Sequence, residues 1–206
     1  MKNGVFGLSL IVAVTLAACG GTTGPVAVEQ PAPAVEAVTV VEQEPAQEET
    51  SAGEAVTLPA WFTAELTAAN TGETFKVADL QGKVILVETM AVWCPVCTQQ
   101  QREVRVLHRL IGERDDFVSL SLDIDPNETA GDLQQHTSRN GFKWPFVVAP
   151  PEVAREIGQL YGRGFLSPPS APMFVIDRRG EVHPLPFGVK GSLELQEAVE
   201  RYLNEG

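Results

Sequence analysis

Two cysteines that directly follow an apolar segment constrain this chain more than any other feature of its sequence. The segment 84–90, VILVETM, is a nearly continuous aliphatic run, which is typical of a strand buried on both faces. Cys94 and Cys97 follow in WCPVC, and the next residues carry apolar side chains at helical spacing up to Gly112. The sequence therefore predicts a buried strand, a cysteine pair and a helix in immediate succession.

The cysteine pair has three interpretations. A metal site needs more ligands than two thiolates, and no histidine stands at a ligand spacing from the pair. A purely structural disulfide across a two-residue gap would constrain little of the unfolded chain. The third interpretation, a redox-active dithiol at a strand-to-helix junction, is favoured.

The predicted helix supplies the chemistry that a reactive dithiol needs. A thiol attacks a disulfide as the thiolate, and the unpaired N–H groups at a helix N-terminus favour negative charge. Cys94 falls at this terminus, and Pro95 fits the first helical position because its missing N–H costs nothing there. Cys97 lies one turn further in, so we expect it to be shielded, deeper than Cys94, and close enough to resolve a mixed disulfide.

Residues 1–18 have the pattern of a secretory signal, with one basic residue followed by an apolar stretch that is short for a spanning helix. The stretch ends in Leu-Ala-Ala before Cys19, which resembles the lipobox of bacterial lipoproteins and implies cleavage and lipidation at Cys19. An ordinary cleaved signal and an uncleaved anchor helix are the alternatives. All three place the rest of the chain outside the cytoplasm, as a lipid-anchored protein of a bacterial membrane if the lipobox is used.

Residues 19–58 predict a disordered tether. They contain seven glutamates, no lysine or arginine and no aromatic residue, with much Pro, Ala, Val and Thr. The whole chain has a formal net charge of −12, which disfavours nucleic acid as a partner because phosphates would be repelled. The remaining residues, 59–206, are long enough for one ordinary domain.

Strands and helices alternate along 59–206 and predict an α/β layered domain. An extra N-terminal β-hairpin is predicted to turn at Asn70–Gly72, and the last helix is predicted to be capped by Ser192. DIDPNET, residues 123–129, lacks the glycine and glutamate of a calcium loop and indicates a strand end plus a helix cap. The other predicted strands are 84–90, 117–124, 146–149 and two within 173–185, and the predicted helices are 95–112, 128–141, 151–162 and 192–203.

WCPVC after a buried strand resembles the active-site motif of the thioredoxin fold. The flanking text, FTAELTAANTGETFKVADLQGKVILVETMAVWCPVC, is similar to the extracytoplasmic TlpA, ResA and CcmG type of thioredoxin-like protein. The resemblance runs from about Trp61 to Leu203. It implies a central mixed β-sheet flanked by helices, and a protein that works as a monomer.

The resemblance also implies roles for residues outside the cysteine pair. Pro172 matches a cis-proline that faces the dithiol and binds substrate backbone together with Ala171, Trp93 and Pro95. The alternative is a trans proline that merely opens a strand. The loop before Pro172 is longer and richer in proline than in the family, and Ala171 stands where Thr or Val is usual, so substrate preference does not transfer.

Glu88 interrupts the apolar run six residues before the first cysteine. An unpaired carboxylate in a central strand is costly, so a functional reason is favoured over a solvated or lysine-paired acid. The thioredoxin fold carries a buried acid at this offset, beneath the second cysteine. Burial should raise the pKa of Glu88 and suit it to move the proton of Cys97.

The resemblance implies a lipid-anchored thiol–disulfide oxidoreductase that reduces protein disulfides, of the cytochrome c maturation type. Its partners would be protein thiols and disulfides, a membrane electron donor of the CcdA/DsbD type and the membrane itself. No cofactor is expected besides the redox-active disulfide. A peroxiredoxin-like peroxide reductase would carry Thr where Ala91 stands, and a metallochaperone or binding module would need a ligand histidine near the dithiol, for which His183 is the best candidate.

Overall fold

The computed structural model of the protein describes residues 58–204 of the 206-residue chain. The signal peptide predicted at 1–18, the lipidation predicted at Cys19 and nearly all of the tether predicted at 19–58 lie outside the described residues. No helix between residues 58 and 204 is long and apolar enough to cross a membrane. The described part contains the cysteine pair and all the strands and helices predicted around it.

Seven strands and four α-helices form the described part of the chain, joined in several places by single turns of 3₁₀ helix. The predicted order of elements is confirmed, with ends that differ by a residue or two. The elements are β1 (Leu66–Thr67), β2 (Thr74–Phe75), β3 (Val84–Met90), α1 (Pro95–Ile111), β4 (Phe117–Asp123), α2 (Ala130–Asn140), β5 (Phe146–Val148), α3 (Pro151–Tyr161), β6 (Met173–Ile176), β7 (Val182–Pro184) and α4 (Ser192–Leu203).

Five strands form one mixed sheet in the order β5–β4–β3–β6–β7. The strands β3, β4 and β5 pair in parallel, whereas β6 pairs antiparallel with both β3 and β7. β1 and β2 form a separate antiparallel hairpin, and Gly72 supplies the positive φ of 76° that its turn requires. The predicted α/β class, with a mixed sheet flanked by helices and an extra N-terminal hairpin, is therefore confirmed.

The central strand β3 divides the apolar core into two parts. Leu86 and Met90 pack on the face that α1 and α4 cover, and Ile85 and Val87 pack on the opposite face, which α3 covers. Side chains alternate between the two faces of a strand. Glu88 therefore points to the same face as Leu86 and Met90, the face on which the cysteine-bearing helix lies.

The helix ends follow local signals at α1 and α2. The side chain of Thr129 accepts the N–H of Asp132 and caps α2, while Gly141, in the left-handed conformation with φ 68°, ends it. Gly112, with φ 72°, follows the last residue of α1. These ends agree with the sequence-based predictions.

The predicted cap of α4 is wrong. Gly191, not Ser192, is the N-cap residue, and Ser192 is the first residue inside the helix. The backbone N–H of Ser192 donates to Glu103 Oε2 on α1 at 2.9 Å. A carboxylate from a neighbouring helix therefore satisfies this terminus and complements its dipole, a contact that no local pattern reveals.

The connection between α3 and β6 contains two 3₁₀ turns, Arg163–Leu166 and Pro168–Ser170. The second turn packs against both α1 and β3. The proline-rich loop noted in the sequence therefore lies beside the helix that begins at the cysteine pair.

Candidate active site

Cys94 and Cys97 form a disulfide at the N-terminus of α1, with their Cα atoms 5.3 Å apart. Cys94 is the N-cap residue and Pro95 occupies the first helical position, as the sequence predicts. The backbone N–H of Cys97 points at Cys94 Sγ, with N and S 3.1 Å apart. In the reduced protein the same N–H, together with the helix dipole, would stabilise a thiolate on Cys94.

The two sulfur-bearing residues are equally enclosed. Cys97 is 2% exposed, as expected of the shielded thiol, but Cys94 is 0% exposed, so the expectation that Cys97 lies deeper is wrong. Sequence spacing gives the position of Cys94 on the helix, but it cannot give what covers the helix end. A partner sulfur must reach Cys94 along the axis of the bond that breaks, so exchange requires a local displacement of the chain that covers it.

The proline-rich connection covers Cys97. Cys97 Sγ lies 3.3 Å from the backbone carbonyl oxygen of Pro168, a distance at which the reduced thiol can donate a hydrogen bond. A thiolate has no proton to donate to this carbonyl. The contact therefore favours a protonated Cys97 in the resting reduced protein, and the proton must leave before Cys97 attacks.

Ala171 and Pro172 follow the same turn and are both buried. Ala171 has φ 45° and ψ 57°, and it is the one non-glycine residue with positive φ in the described part of the chain. Its N–H donates to the Pro168 carbonyl at 2.9 Å, and the Pro172 carbonyl accepts from Thr89 N at 3.3 Å. The two residues are thus held close to β3, while the cis bond and the substrate contacts of Pro172 stay predictions.

Trp93 lies on the surface next to the disulfide, with 57% of its area exposed. Its indole Nε1 donates to Asp125 Oδ2 at 2.6 Å. The ring is therefore both accessible and fixed in orientation. This placement suits the predicted role of Trp93 in contacting a substrate, which stays a prediction.

Glu128 holds the backbone that leads into the cysteine pair. Its two carboxylate oxygens accept the N–H groups of Val92, at 2.6 Å, and Trp93, at 3.2 Å. Sequence reasoning missed this contact because it treated DIDPNET as a strand end and a cap. The predicted helix cap is present, and Thr129 provides it. Glu128, the residue before Thr129, instead binds the backbone that precedes Cys94.

A second acid of this segment is buried beside Glu128. Asp123, at the end of β4, is 0% exposed, and its Oδ1 accepts the N–H of Asp125 at 3.0 Å. Burial is the main cause that raises the pKa of Asp123; the negative charge of Glu128 acts in the same direction, and the hydrogen bond from Asp125 N–H opposes both. The raised pKa favours the neutral form of Asp123, which limits the repulsion within this acidic loop.

Glu88 lies inside the domain on the α1 face of β3, with 4% of its area exposed. Ser121, its neighbour on β4, donates to Glu88 Oε1 at 2.5 Å and itself accepts from Trp144 Nε1 at 2.8 Å. The amide of Gln101 and the positive charge of Lys190 also act on the carboxyl group. The burial excludes the alternative of a solvated acid at a strand end.

Burial raises the pKa of Glu88 from 4.5 to about 7, although the hydrogen bonds from Ser121 and Gln101 and the charge of Lys190 oppose the shift. This is the direction that the sequence predicts. A carboxyl group that titrates near neutral pH can both accept and return a proton. Glu88 and Cys97 lie on the same side of β3, so the arrangement can serve a thiol that must lose its proton.

The raised pKa makes folding stability depend on pH. The folded protein binds a proton at Glu88 more tightly than the unfolded chain does, so the stability present below pH 4.5 declines as the pH rises toward 7. Glu88→Gln should remove this decline and increase the free energy of unfolding at pH 8 by at most about 3 kcal/mol. Urea unfolding at pH 5 and pH 8, with the exposed Glu73→Gln as control, measures the effect; a variant less stable than wild type at pH 8 would contradict it.

The Glu128 contact predicts a link between stability and the reactivity of Cys94. Glu128→Gln keeps the shape but loses the charge and one of two acceptor oxygens, so the free energy of unfolding should fall by about 1–2 kcal/mol. The loosened Val92–Trp93 backbone should also speed alkylation of reduced Cys94. Urea unfolding and iodoacetamide labelling test both effects against Glu113→Gln, an exposed acid; an unchanged labelling rate would show that Glu128 does not control access to Cys94.

Comparisons with known proteins identify the family of the chain and proteins of similar fold. The model of the Redoxin family matches residues 27–191, which is most of the chain, whereas no curated protein sequence matches it. The fold is similar to that of a thiol:disulfide interchange protein of the thioredoxin family from Chlorobium tepidum TLS (22% identity, TM-score 0.57, covering 68% of this chain and 92% of that one).

Two further solved structures have the same fold. One is a secreted thiol-disulfide isomerase from Corynebacterium glutamicum (14% identity, TM-score 0.57, covering 69% of this chain and 84% of that one). The other is a secreted disulfide oxidoreductase from Mycobacterium tuberculosis, homologous to E. coli DsbE (15% identity, TM-score 0.54, covering 68% and 96%). With its cysteine pair at disulfide distance, the chain belongs to the Redoxin family and is a thiol–disulfide oxidoreductase of thioredoxin-like fold.

Proposed function

We propose that the protein is a lipid-anchored, extracytoplasmic oxidoreductase that reduces disulfides in client proteins, of the kind needed in cytochrome c maturation. The observation that carries the dithiol exchange is a buried carboxyl group, Glu88, with a pKa of about 7 on the same face of β3 as Cys97. The lipobox-like sequence at Cys19 supports the anchor. The secreted proteins of the same fold support an extracytoplasmic location.

The reaction begins with attack by the Cys94 thiolate on a client disulfide. A bond forms between Cys94 and one client sulfur, and the second client sulfur leaves as a thiolate that takes a proton from water. Cys97 then loses its proton to the Glu88 carboxylate and attacks Cys94. The Cys94–Cys97 bond forms and the bond to the client breaks. The released client sulfur leaves as a thiolate that also takes a proton from water, so the client, now a dithiol, has gained two electrons and two protons.

The oxidised protein must be reduced again before another cycle. The reductant is a dithiol carried by a membrane electron donor of the CcdA/DsbD type, which would attack the Cys94–Cys97 bond and finally leave as a disulfide. In that half of the cycle Glu88, having received the proton, returns it to Cys97. No bound cofactor enters either half, because the cysteine pair itself carries the two electrons in its reduced, dithiol form.

A non-enzymatic metal-carrying function has less support. The group of side chains in residues 58–204 that could hold a metal ion is Asp177, Glu181 and His183, which does not include the cysteine pair. Arg179 already pairs with both acids of this group, and His183 Nε2 contacts Asp177 at 3.1 Å. A peroxide reductase has less support still, because Ala91 offers no hydroxyl group three residues before Cys94.

The proton-transfer role of Glu88 predicts a specific kinetic defect. Glu88→Gln keeps the hydrogen-bonding shape but cannot accept a proton, so resolution by Cys97 should slow by about tenfold or more. The Cys94 mixed disulfide should then accumulate during stopped-flow exchange with a model protein disulfide. Cys97→Ser supplies the fully trapped complex for comparison, and unchanged resolution between pH 6 and pH 8 would show that Glu88 has no such role.

The anchor predicts a processing requirement. Wild-type protein expressed in a bacterial host should partition into the membrane fraction with its N-terminus at a modified Cys19. Cys19→Ala should remain an unprocessed precursor, because the residue that accepts the lipid is missing. A soluble mature form whose N-terminus lies beyond residue 19, found by intact-mass analysis, would contradict lipidation.

A further inference from the structure

Lys190 is a buried cation in the connection between β7 and α4. It is 3% exposed, and its Nζ donates to the carbonyl oxygens of Ala171 at 2.8 Å, Pro186 at 2.9 Å and Gly188 at 2.5 Å. An ammonium group is costly to bury. Three carbonyl oxygens satisfy all three of its N–H bonds, and one of them belongs to the residue directly before Pro172.

The backbone of Lys190 is fixed to the helix that carries the dithiol. Its N–H donates to Gln100 Oε1 at 2.8 Å, and its carbonyl accepts from Gln100 Nε2 at 3.1 Å. Gln100 lies on α1, three residues after Cys97, and is 1% exposed. A paired amide of this kind sets the distance between α1 and residue 190, so the position of the ammonium is tied to the position of Cys97.

The ammonium also reaches the turn that covers Cys97. Ala171, whose carbonyl it holds, has an unfavourable left-handed conformation and donates its own N–H to the Pro168 carbonyl. The Pro168 oxygen is the atom 3.3 Å from Cys97 Sγ. Gly188 N adds a 2.8 Å bond to the Ser170 carbonyl. A continuous set of hydrogen bonds thus connects Lys190 with the surroundings of the resolving sulfur.

We propose that Lys190 is a positioning residue for Cys97: by holding the Ala171 carbonyl it fixes the 168–172 turn, and with it the Pro168 carbonyl that faces the Cys97 thiol. The proposal rests on the dithiol exchange described above and adds the group that sets its geometry. Lys190 gives up no proton in the cycle. It stabilises a strained turn and keeps a positive charge near Glu88.

Two acids act on the ammonium. They are Glu194, on the first turn of α4, and Glu88, on β3, and both oppose the effect of burial, which lowers the pKa of Lys190 to about 8. In return, the charge of Lys190 lowers the pKa of Glu88. Removing the charge should therefore move the pH midpoint of resolution upward, which a purely structural loss of packing would not do.

The test compares Lys190→Met with wild type in the full-length protein. Losing the charged donor should slow resolution by Cys97 roughly tenfold and shift its pH midpoint upward, while attack by Cys94 on the same protein disulfide changes less than about twofold. Lys83→Met is the matched control, because Lys83 Nζ also donates to a backbone carbonyl, that of Asp115, at 2.6 Å, near the start of β3. Lys83→Met should leave the rate of resolution and its pH midpoint unchanged.

Lys190→Gln decides the matter if Lys190→Met does not fold, since it keeps side-chain N–H donors but lacks the charge. It should show the same upward shift of the pH midpoint with a smaller loss of rate. If a folded Lys190 variant has the same resolution rate and pH midpoint as wild type, the role of Lys190 is overturned, and the proposed function is not affected. Failure of the wild-type protein itself to exchange disulfides would instead overturn the proposed function.

Discussion

The carboxyl group of Glu88 lies in the interior of the domain, and much of the surrounding structure is arranged to accommodate it. A carboxylate in a central strand loses its hydration, a cost that hydrogen bonds from Ser121 and Gln101 reduce but do not remove. The part of this cost that the hydrogen bonds do not offset raises the pKa of Glu88 to about 7. The group therefore sits where a small change in its surroundings, such as a thiolate forming on the same face of the sheet, can change its protonation.

Two other charged side chains hold the backbone on either side of the disulfide. Glu128 accepts the N–H groups of Val92 and Trp93 before Cys94, and Lys190 donates to the carbonyl of Ala171 beyond Cys97. Each uses its charge on backbone groups of an irregular segment, where no strand or helix would satisfy them. The disulfide is thus enclosed by two segments that are held by charge-assisted hydrogen bonds.

This enclosure accounts for the burial of both cysteines. A thiol–disulfide exchange needs the attacking sulfur in line with the bond it breaks, so Cys94 reacts when the Val92–Trp93 segment that Glu128 holds moves aside. The exposed indole of Trp93, fixed by Asp125, lies at the edge of this region. A client that contacts Trp93 would approach the side on which Glu128 holds the backbone, so binding of the client and uncovering of Cys94 can be coupled.

Local patterns predicted the fold and part of the site. Three patterns each lie within a single element that the structure contains: the run VILVETM, the helical spacing after Cys97, and the glycines at positions 112 and 141 that end helices. The contacts of Glu128 with Val92, 36 residues away, and of Glu103 with Ser192, 89 residues away, join separate elements and leave no periodic trace. Lys190 likewise gives no signal, because a lysine before a helix is usually at the surface.

The protonation of Glu88 is the central claim, and ¹³C NMR of its labelled carboxyl group tests it most directly. The chemical shift should titrate with a midpoint near pH 7 in the oxidised protein, against 4.5 for an ordinary glutamate. Reduction of the disulfide should move this midpoint, because the Cys97 thiol and the carboxyl group then exchange a proton. A midpoint near 4.5 that is the same in both redox states would contradict the claim.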